Sequence, residues 1–173
     1  MSFREGIDNQ GTYYQINEVV GTTPILFIHG VGLDHSIWSP QVDFLKNSTT
    51  IIYDLIGHGL STCTIKELDF DDFSKQIDGL LQILRIQKVI VVGFSLGGLI
   101  AAHYSSTRRN HVAKVILFGT IFGRTEEQKR NAAERFADVK GTYLNATHQL
   151  DRWFNQEYLS SHKDIAKKIT NIL

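Results

Sequence analysis

The chain has 173 residues, 18 basic and 18 acidic side chains, 42% hydrophobic residues and 10% aromatics. That length fits one domain with a small insertion and enough apolar content for a core, and the balanced charge excludes a basic nucleic-acid footprint or an acidic tail. The single cysteine, Cys63, cannot close an internal disulfide. The opening MSFREGIDNQ has no signal-peptide core, and no apolar run is long enough to span a membrane, so a cytoplasmic chain is expected.

Residues 12–20, TYYQINEVV, partly alternate and predict an early strand. GTTP at 21–24 is a turn, and ILFIHG at 25–30 is an apolar run ended by glycine, as in a strand buried on both faces. Ile37, Trp38, Val42 and Leu45 fall at helical spacing, and TTIIYDL at 49–55 is a second buried strand. Phe70, Phe73, Ile77, Leu80, Leu81 and Leu84 form an apolar stripe. Asp69, Asp71 and Asp72 stand at its start, where the helix dipole favours negative charge. KVIVVGF at 88–94 predicts a third buried strand, LGGLIAAHYSS at 96–106 a helix, and VAKVILFG at 112–119 a fourth buried strand.

After Gly119 the pattern turns helical. Thr125 and Gln128 make a capping box, and a last helix from near Ser161 carries Ile165, Ala166, Ile169, Ile172 and Leu173. Buried strands alternating with amphipathic helices predict an α/β fold, a mostly parallel sheet with helices on both faces.

Gly93-Phe94-Ser95-Leu96-Gly97 matches G-x-S-x-G between a predicted strand and a predicted helix. A nucleophile on a sharp, strained turn needs glycines two residues either side, because side chains there collide with neighbouring backbone. Ser95 then projects from the carboxyl edge of the sheet, where open α/β sheets bind ligands. The Leu96 amide at the helix start and the Val31 amide in the HGVGLD turn (29–34) are the natural oxyanion donors. The bland reading is a glycine-rich turn with a solvated serine. DLIGHGLS at 54–61 reads as a tight loop in which Asp54 and His58 are structural.

HGVGLDHSIW, DLIGHGLS and GFSLGGLIA, in that order, resemble the α/β-hydrolase superfamily over about the first 119 residues. FGTIFGRTEEQ with LDRWFNQEYL at 150–159 is similar to the cap of 3-oxoadipate enol-lactonase-like hydrolases. The resemblance implies the α/β-hydrolase fold: residues 1–119 as the N-terminal part of the core and 120–173 as an incomplete helical cap, with the chain truncated after the cap begins and the C-terminal core strands absent. It implies that His29 bonds only backbone, since the family uses that loop's amides. It offers Trp153 and Phe154 as pocket residues and Arg152 as an attractor for a substrate carboxylate. The alternative is cap packing for the aromatics and a solvated arginine.

The family's triad runs Ser, acid, His, and the resemblance places the acid and His after the cap, so neither is expected here. His148, His162, Asp138, Asp151 and Asp164 read as surface groups of the cap. Lost strands would leave residues 112–118 as an exposed apolar edge, open to aggregation or pairing with a second copy. No histidine spacing implies a metal, and no cofactor is expected. Two functions follow: a serine hydrolase of small-molecule carboxylic esters or lactones acting through an acyl-enzyme on Ser95, inactive in this form, or a non-catalytic binding or vestigial fragment.

Overall fold

A computed structural model describes residues 2–64, 67–138, 150–151 and 153–172, the side chains of 135–138 excepted. Two compact units divide the chain, Met1–Thr120 and Ile121–Leu173.

The first unit is built on a six-stranded sheet in the order β1-β2-β4-β3-β5-β6. Strands β3 (Ile25–Ile28), β4 (Thr50–Tyr53), β5 (Val89–Phe94) and β6 (Val112–Phe118) are mutually parallel. Strands β1 (Ser2–Ile7) and β2 (Tyr13–Glu18) form an antiparallel hairpin, and β2 pairs antiparallel with β4. The mostly parallel sheet is as the apolar runs predicted. Strand β1 was not: its side chains are nearly all exposed, and it is held by its ladder to β2 and by Arg4 against Glu18 at 2.9 Å.

Because side chains alternate across a strand, the central strands feed two cores. Leu26, Ile28, Ile51, Tyr53, Val89 and Val91 pack with helices α2 (Phe70–Leu84) and α3 (Leu96–Thr107). On the other face Phe27, Ile52 and Val92 meet Trp38, with Ile37, Val42 and Leu45 beside them. Helices therefore lie on both faces. The predicted helix over 36–46 is broken into a 3₁₀ turn, His35–Trp38, and a short helix α1, Ser39–Phe44. Pro40 in the first turn of α1 explains the new start, since proline has no N–H to donate backward. Helix α2 starts at Asp69 with a reciprocal capping box to Asp72 and ends at Arg85 in a left-handed conformation, φ 57°.

Strand β6 corrects one expectation. Its run of apolar residues reads as a buried strand, yet all but its first residue are exposed, Phe118 to 52%. It pairs with β5 and lies at the end of the sheet, which is the exposed edge expected of this segment.

The second unit, in its described residues, is helical: α4 (Glu126–Asp138), α5 (Gln156–Ser161) and α6 (Lys163–Ile172). The Thr125 capping box forms, with the Gln128 amide donating to Thr125 Oγ1 and the Thr125 amide to Gln128 Oε1. In α6, Ile165, Ala166, Ile169 and Ile172 share the half-buried positions. Leu173 lies outside the described residues.

Candidate active site

Parallel strands end on the same side of a sheet. The loops after β3, β4 and β5 therefore meet at one edge of the first unit, and Ser95 lies in the turn between β5 and α3.

Ser95 has φ 53° and ψ −114°, a backbone conformation that L-residues rarely adopt. Two glycines make room for it. A Cβ on Gly93 would run into the carbonyl of Gly97, and one on Gly97 into the carbonyl oxygens of Ile28 and His29. The strained peptide is held from both sides. The Ser95 amide donates to the Phe118 carbonyl at 2.9 Å, and the Ser95 carbonyl accepts from the Gly98 amide at 3.0 Å and the Thr120 hydroxyl at 2.9 Å. The half-exposed Ser95 side chain makes no capping bond to α3, and its hydroxyl has no hydrogen-bond partner among the described residues.

The loop after β3 passes alongside. A Cβ on Gly30 would lie 3.2 Å from the Phe94 ring and 3.3 Å from Ser95 Cβ. Val31 is exposed, and Gly32 has φ 70°. Neither the Val31 nor the Leu96 amide donates a hydrogen bond among the described residues.

Two histidines fix this loop, and their surroundings shift them in opposite directions. His29 is fully buried: its Nδ1 donates to the Gly30 carbonyl at 2.8 Å, and its Nε2 accepts from the Leu55 amide at 3.0 Å. Burial lowers it to about 4, so it is neutral and bonds backbone only, as expected of it. His35 lies against Asp54, whose side chain is fully buried, with Nδ1 2.8 Å from Asp54 Oδ1; its own amide donates to the same oxygen at 2.7 Å. Burial alone would lower His35, but the hydrogen bond to Asp54 and the charges of Asp54, Asp34 and Glu5 outweigh it and raise it. Burial would likewise raise Asp54. The His35 side chain and the Leu60 and His35 amides hold it below the ordinary carboxylate value instead. Sequence reading took Asp54 as structural but missed His35 as its partner. The only signal was a histidine following Asp34 in a glycine loop.

No described histidine is bonded to Ser95. His58 contacts the Ile56 carbonyl, His103 contacts Asp71, His111 the Gln87 carbonyl and His162 the Tyr158 carbonyl. His148 lies outside the described residues, as does Arg152. Asp138 falls in the last turn of α4 and Asp164 in the first turn of α6; Asp151 accepts from Gln156. Trp153 is exposed to 39%. Phe154 stacks on Tyr158 at 5.2 Å, and Tyr158 on His162 at 4.1 Å, so Phe154 takes part in packing within its own unit. Among the described residues no cluster of histidine, cysteine, aspartate and glutamate suits a metal, and no helix is long and apolar enough to cross a membrane.

A family model described as "alpha/beta hydrolase fold" matches residues 23–152. The chain is 31% identical over 134 residues to (E)-2-((N-methylformamido)methylene)succinate hydrolase of Acinetobacter baylyi, covering 77% of this chain and 51% of that protein. It is 30% identical over 164 residues to 3-oxoadipate enol-lactonase 1 of the same organism, covering 89% of this chain and 58% of that protein. Among solved structures it superposes on the enol-lactonase from Burkholderia xenovorans LB400 with TM-score 0.80 and 25% identity, over 98% of this chain and 66% of that one. The chain spans about half the length of the curated relatives it matches.

Proposed function

The chain belongs to the alpha/beta hydrolase fold family, and from that premise we propose that it carries the nucleophile and oxyanion donors of a hydrolase of carboxylic esters or lactones. One observation carries the reading. A serine sits in a strained conformation at the edge of the sheet, between two glycines at which a Cβ would collide with backbone, and its hydroxyl has no hydrogen-bond partner among the described residues.

In this reading Ser95 Oγ attacks the acyl carbon and gives its proton to a histidine that, with its orienting acid, a further segment or a partner chain supplies. The Val31 and Leu96 amides hold the tetrahedral oxyanion, each worth about 3 kcal/mol. The histidine returns that proton to the leaving oxygen as collapse expels the alcohol or opens the lactone ring. The acyl-enzyme left behind is hydrolysed by a water that gives its proton to the same histidine, which passes it back to Ser95 Oγ. No step calls for a metal or a redox cofactor. An enol-lactone is the substrate of choice within the class, supported by the two enol-lactonase similarities. Arg152 would attract a substrate carboxylate, and Trp153 and Phe154 would line the cap over residues 120–173. A cytoplasmic chain is supported by the single cysteine, and association of copies by the exposed β6 edge.

A second reading, a non-catalytic binding module, is favoured by the hydrogen bonds that occupy every described histidine elsewhere. The two are separated by p-nitrophenyl acetate turnover. It is measured on the chain alone and on the chain joined to the C-terminal part of an enol-lactonase. Turnover by the joined chain that Ser95→Ala abolishes is the result expected. A folded joined chain that is inert, or activity indifferent to Ser95→Ala, overturns the hydrolase reading.

A further inference from the structure

The loop that presents Val31 is anchored at both ends, and the two anchors differ in kind. At its start the Gly30 carbonyl accepts from His29 Nδ1 at 2.8 Å and from the Leu33 amide at 3.3 Å. That anchor is neutral and buried. At its end stands a histidine–carboxylate pair. Asp54 Oδ1 takes both the amide and Nδ1 of His35, at 2.7 and 2.8 Å, while Oδ2 takes the Leu60 amide at 2.8 Å. The carboxylate thus joins the loop after β3 to the loop after β4. The second loop is built for it: Gly59 has φ 52°, and a Cβ there would collide with the Asp54 carboxylate.

We propose that His35 is a positioning residue, whose imidazolium pins the loop over 30–34 to the buried Asp54 carboxylate and so couples the placement of the Val31 amide to its own protonation. The proposal rests on the reading of Val31 as an oxyanion donor, and goes beyond it by making that donor pH-sensitive.

The physical case is a difference between two hydrogen bonds. With His35 charged, the bond to Asp54 is charge-assisted and about twice as strong as a neutral one. Deprotonated, the Nδ1–H tautomer still reaches Oδ1, but the buried carboxylate loses its counter-charge. The other groups facing His35 do not restore it. Asp34 in the same loop is acidic and already accepts from the Ser36 amide. From the β1–β2 hairpin come the Tyr13 ring, 4.8 Å from the imidazole, and Glu5, which accepts from the Tyr13 hydroxyl. None carries a positive charge, and the acidic ones favour the imidazolium. Between the anchors, Val31 and Gly32 have no side-chain tether among the described residues.

The test is an NMR titration of the chain from pH 5 to about pH 10, across and beyond the ordinary imidazole range. It follows the His35 imidazole signal together with the backbone amides of Val31 and Gly32. The expected result is one shared midpoint above the ordinary value of about 6.5, with exchange of the Val31 and Gly32 amides speeding beyond the intrinsic base-catalysed trend as pH rises through it. In His35→Gln, which keeps a donor toward Asp54 without a titrating charge, the movement of those amides is lost. Ser95→Ala leaves it intact, so failure of the nucleophile reading, seen in ester turnover, is told apart from failure of this one. A titrating His35 with stationary Val31 and Gly32 amides overturns the proposal. So does a shared midpoint that persists in His35→Gln. If that variant does not fold, the wild-type titration alone decides.

Discussion

The hydroxyl of Thr120 donates to the carbonyl oxygen of Ser95 at 2.9 Å, while the Ser95 amide donates to Phe118 two residues earlier. The Ser95 peptide is therefore clipped on both sides to β6 and the residue that follows its turn. Replacing the hydroxyl by a methyl in Thr120→Val keeps the shape that packs against Gly98 and removes the bond. The expected loss is about 1 kcal/mol, read as a lower urea midpoint, with faster exchange of the Ser95 amide. Thr120→Ser restores most of it. An unchanged midpoint in the valine variant would mean that the Gly98 and Leu99 amides hold Ser95 without help.

Gly97 and Gly21 separate two reasons for glycine. Gly97 has no unusual φ, but a Cβ there meets the Ile28 and His29 carbonyl oxygens, which are backbone and cannot step aside. Gly21 has φ 82° with nothing within 4 Å. Gly21→Ala should cost about 1 kcal/mol, for the left-handed backbone alone. Gly97→Ala should cost about 3 kcal/mol or more, for overpacking against rigid atoms. Denaturant midpoints of the two variants give the comparison, and equal losses would remove the steric account of the elbow.

The elbow was legible because its cause is local: two glycines, a serine and the strand before them are adjacent in the chain. The Thr125–Gln128 capping box was legible for the same reason, whereas Asp69 and Asp72 were read only as charges at a helix start and their reciprocal bonds were not. The β6 segment was only half legible, since apolar composition predicts a strand but says nothing of what covers it. Strand β1 left no apolar pattern at all; its pairing partner defines it. The His35–Asp54 pair escaped because it joins residues 19 apart through the ends of two strands, a contact that only the sheet order β4-β3 creates. Thr120 escaped likewise, its role depending on the β5–β6 register.

His29 and His35 give stability two opposed pH limbs. His29 is lowered to about 4 in the fold, so the unfolded chain binds the extra proton between about 6.5 and 4. Its stabilisation is present above about 6.5 and declines as pH falls through that window, by about 3 kcal/mol in all. His35 is raised, so its contribution is complete below about 6.5 and is lost as pH rises through its folded value. Asp54, held below the ordinary carboxylate value, adds a further loss only at more acid pH, below about 4. Urea midpoints measured against pH should peak near 6.5. His29→Gln should flatten the acid limb and His35→Gln the alkaline one. A single limb that survives both variants would assign the dependence elsewhere.

The β6 edge predicts self-association. Val115 and Leu117 project from one face and Ile116 and Phe118 from the other, all between 43% and 52% exposed. Lys114 is the charged residue within the strand. An unpaired apolar edge of this kind templates pairing with another chain. Sedimentation velocity over a concentration series should show association that Ile116→Lys weakens without lowering the urea midpoint, since the side chain is already half in solvent. A monomer at every concentration contradicts the prediction.

Ser95 itself should be a stability cost to the fold. At φ 53° and ψ −114° a residue with a Cβ is strained by about 1–3 kcal/mol. Glycine adopts that conformation freely, though its looser unfolded chain gives back about 0.5–1 kcal/mol. Ser95→Gly should therefore be more stable than the parent by about 1 kcal/mol. Ser95→Ala keeps the Cβ and so the strain, and since the hydroxyl has no partner among the described residues its stability should be unchanged. The difference between the two variants isolates the conformational term from the loss of the hydroxyl. Equal midpoints would mean that the turn is relaxed and that Gly93 and Gly97 serve packing alone. A more stable glycine variant would mean that the chain keeps an unbonded hydroxyl at a position where it destabilises the fold. That is the pattern of a residue retained for its chemistry, because packing and hydrogen bonding supply no other reason to hold a serine there.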